Sequence, residues 1–444
     1  MIHSNRTVLP GGIQEAFVLV EHGLIKEVCQ RIPEGDGYEL VEVNDQLLMP
    51  GVIDPHVHIN EPGRTGWEGF NTATRAAIAG GITTVVDMPL NSSPVTTTVK
   101  AFEEKLAATH HQLHTNVGFW GGVIPGNENE IEGLIAKGVL GFKAFLTHSG
   151  IDEFPNATEA DLQKAMPIIA KHGLPLLVHC ELTDNIKRTT EEVRSYTNYL
   201  NTRPKQWEDD AIALMIRLCE EFNCRVHIVH LSSANSIVPI QQAKQRGLPV
   251  TVETGQHYLY FNAGQIKDGQ TQFKCAPPIR EKENNELLWQ ALKSGVIDLV
   301  ATDHSPATPD LKEIQSGNFM KAWGGIASLQ FALPVLWSAA KKRKGDLNEL
   351  VKWLCENPAK LIGKENSKGR IAKGFDADLI VLNEEQLFTV TKDMIQYRHK
   401  ITPYLDEQLY GMVTKTFIAG KLVYDNGDFV QLNEGEIILN KCDV

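Results

Sequence analysis

The chain has 444 residues, 42% hydrophobic and 22% charged, with a formal net charge of −12. That length supports a large core and two or three domains. An acidic balance without a long basic run excludes a nucleic-acid surface, whose phosphate contacts need clustered Lys and Arg.

The opening "MIHSNRTVLPGG" lacks the apolar stretch of a signal peptide, and no later segment approaches the ~18 uninterrupted apolar residues of a membrane span. Residues 1–50, with "AFVLVEHGLIKEV" and "YELVEVND", read as short alternating strands joined by Gly, Asp and Asn turns. From residue 47 onward eight apolar runs follow in order: LLMPGVIDPHVH, TTVVDMP, TNVGFWGGV, GVLGFKAFL, LPLLVHCE, CRVHIVHLS, LPVTVETGQHYLY and IDLVATDHSP. Stretches of helical periodicity alternate with them, as at 159–172 and 208–222. Eight βα units predict an α/β protein with a closed (β/α)8 (TIM) barrel over residues 51–365. The run "KKRK" at 341–344 reads as a solvated face. Residues 366–444 return to short alternating strands, and neither flank has enough of them for a stable sheet. Both ends are therefore expected to pair into one small β-sandwich beside the barrel. The seven cysteines (Cys29, Cys180, Cys219, Cys224, Cys275, Cys355 and Cys442) are scattered and contain no CxxC pair. They fit reduced thiols in a cytoplasmic protein.

Active sites of such barrels form at the carboxyl ends of the strands. The polar residues placed there are His56 and His58 after the first strand, Lys143 in the fourth, His179 in the fifth, His230 in the sixth and Asp303 in the eighth. Singly, a histidine is more often a hydrogen-bonded core residue, and Asp303 could merely cap the next helix. Lys143 is harder to dismiss, because a lysine flanked by barrel-strand residues must bury its ammonium at a cost. Together, four imidazoles and a carboxylate aimed into one mouth indicate a metal site. His304 and His227 fall on the opposite parity, His110, His111 and His114 lie in a polar region, and His257 could line the pocket. Six groups exceed the needs of one tetrahedral zinc. Two metals with a bridging anion would use them all, and a lysine that has added CO2 becomes such an anion. Between two such metals a bridging water becomes hydroxide near neutral pH.

H-x-H at 56–58, the lysine of "GFKAF", "HCE", "HLSS" and "TDHSP" stand in the order found in the amidohydrolase superfamily, and the whole chain resembles its cyclic-amidohydrolase branch. The resemblance implies two divalent ions, zinc by preference with manganese or cobalt as alternatives. It places His56 and His58 on one ion, His179 and His230 on the other, carboxylated Lys143 across both, and Asp303 on the first as proton shuttle. Dihydroorotases carry H-x-H-x-R-E-P-G, with an arginine that grips a carboxylate; here that position is Asn60, an amide suited to a neutral ring or urea group. Hydantoinases and dihydropyrimidinases place a tyrosine where this chain has His148. "HINEPGRTGWEGF", "GGITTVVDMPLNSSP", "KAWGGIASLQFALPVLW" and "YRHKITPY" are similar to allantoinases. That likeness implies hydrolysis of the hydantoin ring of allantoin to allantoate by a metal-bridging hydroxide. The runner-up is a hydantoinase or dihydropyrimidinase acting on a related cyclic amide. The resemblance also implies a homotetramer and substrate contacts at Asn60, His148, Ala276 and Gly324.

Overall fold

The computed structural model describes residues 1–32, 37–184 and 191–440. Each of the eight apolar runs contains a barrel strand: Val52–Val57, Ile82–Asp87, Asn116–Phe119, Phe142–Phe145, Pro175–His179, Arg225–Ile228, Val250–Gly255 and Leu299–Ala301. Consecutive strands pair in parallel, except that Gly121–Gly122, not Asn116–Phe119, forms the ladder with the fourth strand. Leu140 N donates to Phe119 O at 2.9 Å across that joint, and His58 N donates to His304 O at 2.8 Å where the eighth strand meets the first. The strands close into a barrel, and they read as apolar runs because both faces are covered.

The helices lie outside. Lys205–Phe222 buries Ala211, Ile212, Met215, Leu218 and Cys219, a stripe at helical spacing. Glu159–Lys171 starts on a capping box, with the Thr158 side chain accepting from Asp161 N and the Asp161 carboxylate accepting from Thr158 N. One segment departs from the expected pattern. The seventh run was expected to stay extended to Tyr260, but the strand ends at Gly255 and Gln256–Tyr260 is a short helix. Among the described residues, no helix is long and apolar enough to cross a membrane.

The chain ends share one sheet. Its order is Asp428–Phe429, Lys421–Asp425, Gln408–Ile418, Leu379–Thr389, Leu47–Pro50, Ile2–Leu9, Gly12–Glu21 and Leu24–Cys29. Leu47–Pro50 joins the halves, parallel to the first strand and antiparallel to Leu379–Thr389. Gly51 then carries the chain from this sheet into the barrel, and a Cβ there would lie 2.1 Å from Thr83 Oγ1, so no larger residue fits. Further on, Ile437–Ile438 leaves the terminal sheet and pairs with Asn116–Phe119 of the barrel. The cysteines expected to be reduced thiols are free at the six described positions, and Cys442 lies outside the described residues.

One buried ion pair fixes the backbone that leaves the first strand. Lys105 Nζ donates to Asp87 Oδ2 at 2.5 Å and to Ile59 O at 3.3 Å, while Asp87 Oδ1 accepts from Ile59 N at 2.7 Å. Both side chains are sealed from water. Lys105→Met would strand the Asp87 carboxylate, and we expect a loss of ~3–5 kcal/mol in denaturant unfolding. The double variant Lys105→Met with Asp87→Leu should regain part of that loss.

Candidate active site

The carboxyl ends of the strands open onto a cavity of about 340 Å3 whose walls include His56, His58, His179, His230 and Asp303. His56, His58 and Asp303 are buried, and their ligand atoms lie within 4.8 Å of one another. Asp303 Oδ1 is 3.3 Å from His56 Nε2 and 3.4 Å from His58 Nε2. The Nδ1 of His56 is hydrogen-bonded to Glu253 Oε1. A carboxylate on Nδ1 places the ring proton there and leaves Nε2 with its lone pair. A lone pair facing a carboxylate oxygen is repulsive unless a cation joins them, so this group fits a metal ion.

Glu253 is fully buried and also accepts from His230 N at 3.2 Å and pairs with His227 Nε2 at 3.1 Å. Burial alone would raise its carboxyl, but His56 and His227 overcome this and hold it well below the usual range. His58 is pushed down to about 4, chiefly by burial, against the pull of Asp303, so its imidazole is neutral at neutral pH.

The second half of the cluster is built in the same way. His179 Nε2 bonds Glu181 Oε2 at 2.8 Å, and Arg203 Nε donates to Glu181 Oε1 at 3.1 Å. Burial opposes ionisation of Glu181, yet Arg203 and His179 bring it down to about 2. The proton is thereby fixed on His179 Nε2, and Nδ1 faces His230 Nε2 at 3.0 Å. His230 Nδ1 has no hydrogen-bond partner among the described residues. The His56 and His230 rings, 5.4 Å apart, link the two halves.

Lys143 is fully buried, and its Nζ has no hydrogen-bond partner among the described residues. Burial pushes its amine down to about 8, although Glu253 and Asp303 favour the charged form. Its charge acts on His58, His179 and His230 alike. An orphaned amine amid ligand-type nitrogens is a misfit for a stable core and a fit for a group that metals would use. The backbone is strained at the same place: His230 and Asp303 sit at φ +38° and +45°, left-handed conformations that cost ~1–3 kcal/mol each in non-glycine residues.

Of the remaining residues expected at the site, His148, Ala276 and Gly324 line the cavity. His148 is at an exposed position, with Nε2 3.2 Å from Asp152 Oδ1. Asn60 does not line the cavity. It is fully buried, with Nδ2 3.5 Å from Pro306 O and Oδ1 without a partner among the described residues. The expectation rested on the position that an arginine holds in the H-x-H-x-R-E-P-G pattern, whereas here the strand ends at Val57 and the backbone turns, with Arg64 N donating to Asn60 O at 2.9 Å. His257 is buried but likewise absent from the cavity wall, since it sits on the unexpected helical turn. His304 points away, with Nδ1 accepting from Ser328 N at 3.0 Å and Leu329 N at 3.2 Å. Sequence reasoning missed Glu253, Glu181 and Arg203. The available signal for the first was a carboxylate inside the apolar strand "VTVETG".

Residues 47–423 match the amidohydrolase family. An allantoinase of Streptomyces avermitilis is 44% identical over 97% of this chain and 96% of its own length. An allantoinase of Arabidopsis thaliana is 43% identical over 96% of this chain and 88% of its own. In three dimensions the chain is similar to an L-hydantoinase (dihydropyrimidinase) from Arthrobacter aurescens, with a TM-score of 0.93 and 28% identity over 99% of both chains.

Removing the carboxylate behind His56 tests the cluster as a metal site. Glu253→Gln should weaken binding of a divalent ion ~10–100-fold, read by titrating chelator-stripped protein with zinc. Unchanged zinc affinity would deny Glu253 this orienting role.

Proposed function

The chain belongs to the amidohydrolase family, and from that premise we propose that it opens the hydantoin ring of allantoin by hydrolysis to give allantoate. One observation carries the reading: four imidazoles and the Asp303 carboxylate converge in one cavity, with an orphaned buried lysine whose charge acts on three of those imidazoles, in a chain above 40% identical to allantoinases over nearly its whole length. A hydantoinase or dihydropyrimidinase activity on a related cyclic amide is the second reading. It is favoured by the fold likeness and weakened by the lower identity, 28% against 44%.

His56, His58 and Asp303 would hold one divalent ion and His179 and His230 a second, with Lys143 shared between them. Zinc suits an imidazole and carboxylate set, with manganese or cobalt as alternatives. Such ions, when bound, supply Lewis acidity toward the ring carbonyl and acidify water.

The protein's own part begins with Lys143. Depression of its pKa by burial enlarges the neutral amine fraction, the form that adds CO2. The N–C bond forms, a proton leaves, and the resulting carbamate offers two anionic oxygens. Glu253 and Glu181 hold the imidazole tautomers so that lone pairs face inward. Asp303 Oδ1 is turned toward the two imidazoles, and its carboxylate takes the proton released by the attacking water and delivers it to the departing ring nitrogen. Catalysis would rest on residues 51–365, with 1–50 and 366–444 forming the accompanying unit. A cytoplasmic homotetramer completes the proposal, checked by fractionation and sedimentation.

Allantoin consumption with matching allantoate formation is the direct test, run beside a plain hydantoin and dihydrouracil. Turnover of those compounds but not of allantoin would select the second reading. Lys143→Ala should lose most bound metal and nearly all activity, and added short carboxylic acids should restore part. Asp303→Asn should lower kcat ~10²–10⁴-fold with a smaller effect on KM. A change confined to KM would demote Asp303 to positioning.

A further inference from the structure

Among the described residues, the buried and half-buried cations nearly all have partners. Lys105 has Asp87, Arg203 has Glu181, Arg280 has Glu208 and Lys368 has Asp378. Lys143 belongs to the histidine cluster. Lys312 spends its donors on three main-chain carbonyls, those of Lys274, Trp323 and Gly325. Lys274 is the exception.

Lys274 lines the catalytic cavity and is 8% exposed. Its Nζ donates to Ala322 O at 2.5 Å and to Met320 O at 3.3 Å, and it stands 5.0 Å from the centroid of the Tyr199 ring. Among the described residues no carboxylate forms an ion pair with it. Burial and the charge of Arg203 push its amine down to about 7, and in its charged form, with three N–H donors and no acceptor, one donor is left over for an acceptor in the cavity. Burial of an unmatched ammonium is costly unless something in the cavity answers it. Its partners also set it apart from the metal-type cluster. Met320 and Ala322 belong to the stretch between the eighth strand and the next helix, and Tyr199 to the helix Tyr196–Thr202. Ring chemistry occurs at the histidines and Asp303, so a donor displaced from them meets the substituent of the ring.

Resting on the allantoin reading above, we propose that Lys274 donates its remaining N–H to the ureido carbonyl oxygen of the substrate and is a specificity-determining residue. The ureido group is what separates allantoin from unsubstituted hydantoin. A urea oxygen is a strong neutral acceptor and suits one ammonium donor. The main-chain anchors keep the lysine from reaching further, and its own backbone is held through Lys312. The device selects for a ring bearing an acceptor side arm.

The test uses metal-loaded parent, Lys274→Met and Lys274→Arg at matched metal content and equal thermal stability. It measures kcat/KM for allantoin and the inhibition constant of plain hydantoin, which lacks the side arm. A hydrogen bond to a charged group predicts that Lys274→Met loses ~10–100-fold on allantoin while hydantoin binding shifts less than about 2-fold. Lys274→Arg, which keeps charge and donors, should recover a large part. If Lys274→Met does not load metal, Lys274→Gln replaces it. Equal losses for both compounds, or parent-like kcat/KM for allantoin, would overturn the role of Lys274. A parent enzyme that leaves allantoin intact would instead remove the activity reading itself, and this proposal with it.

Discussion

Glu253 has no contact with water, and three elements of the site lean on it. It fixes the His56 tautomer, receives the main-chain N–H of His230 at a strained turn, and pairs with His227. A carboxylate in that position would be intolerable alone, since an unpaired buried charge drives its own protonation. Here the surrounding imidazoles keep it ionised. Glu181 repeats the arrangement for His179, with Arg203 as the outer partner. The cluster is thus a set of lone pairs held inward by anions placed behind them. Such an arrangement opposes itself electrostatically until cations arrive, which is why binding energy from metal would serve here to complete the fold as well as the chemistry.

The barrel was legible because continuous apolar runs alternating with helical stretches leave few topologies open. That His56, His58, His179, His230 and Asp303 would meet at one cavity was legible because each stands at or just past the carboxyl end of a barrel strand. What failed were statements that needed the backbone beyond a strand. Asn60 was placed at the substrate by its position in a motif, yet the chain has turned there and the side chain is buried off the cavity wall. His257 shares that fate on a helical turn. Glu253 and Glu181 were missed because a carboxylate inside a strand does not declare its partner; His56 is nearly two hundred residues away in sequence from Glu253. The terminal sheet was foreseeable from the insufficiency of either flank. The use of Leu47–Pro50 as its bridge was not, since that stretch runs continuously into the first barrel strand.

Two buried lysines stand at the site in different company. Lys143 Nζ has no hydrogen-bond partner among the described residues, and its charge acts on His58, His179 and His230. Lys274 is tied to main-chain carbonyls, and burial lowers the pKa of both, to about 8 and about 7. The difference lies in the company each keeps, carbonyl dipoles for one and ligand-type nitrogens for the other. Lysine is suited to both because its pKa responds to surroundings where that of arginine does not.

The shared terminal sheet also imposes an order in time. The strands Ile2–Leu9, Gly12–Glu21 and Leu24–Cys29 can pair with one another as they emerge from the ribosome. Their apolar side, with Ile2, Val18 and Ile25, is closed by Ile371, Leu379, Val381 and Phe417. Those residues are made more than three hundred positions later, which at ~5–20 residues per second leaves that side uncovered for roughly 20 to 80 s during synthesis. The barrel can assemble unit by unit meanwhile. The apolar side of the opening thirty residues is therefore completed only when the strand Gln408–Ile418 has been made.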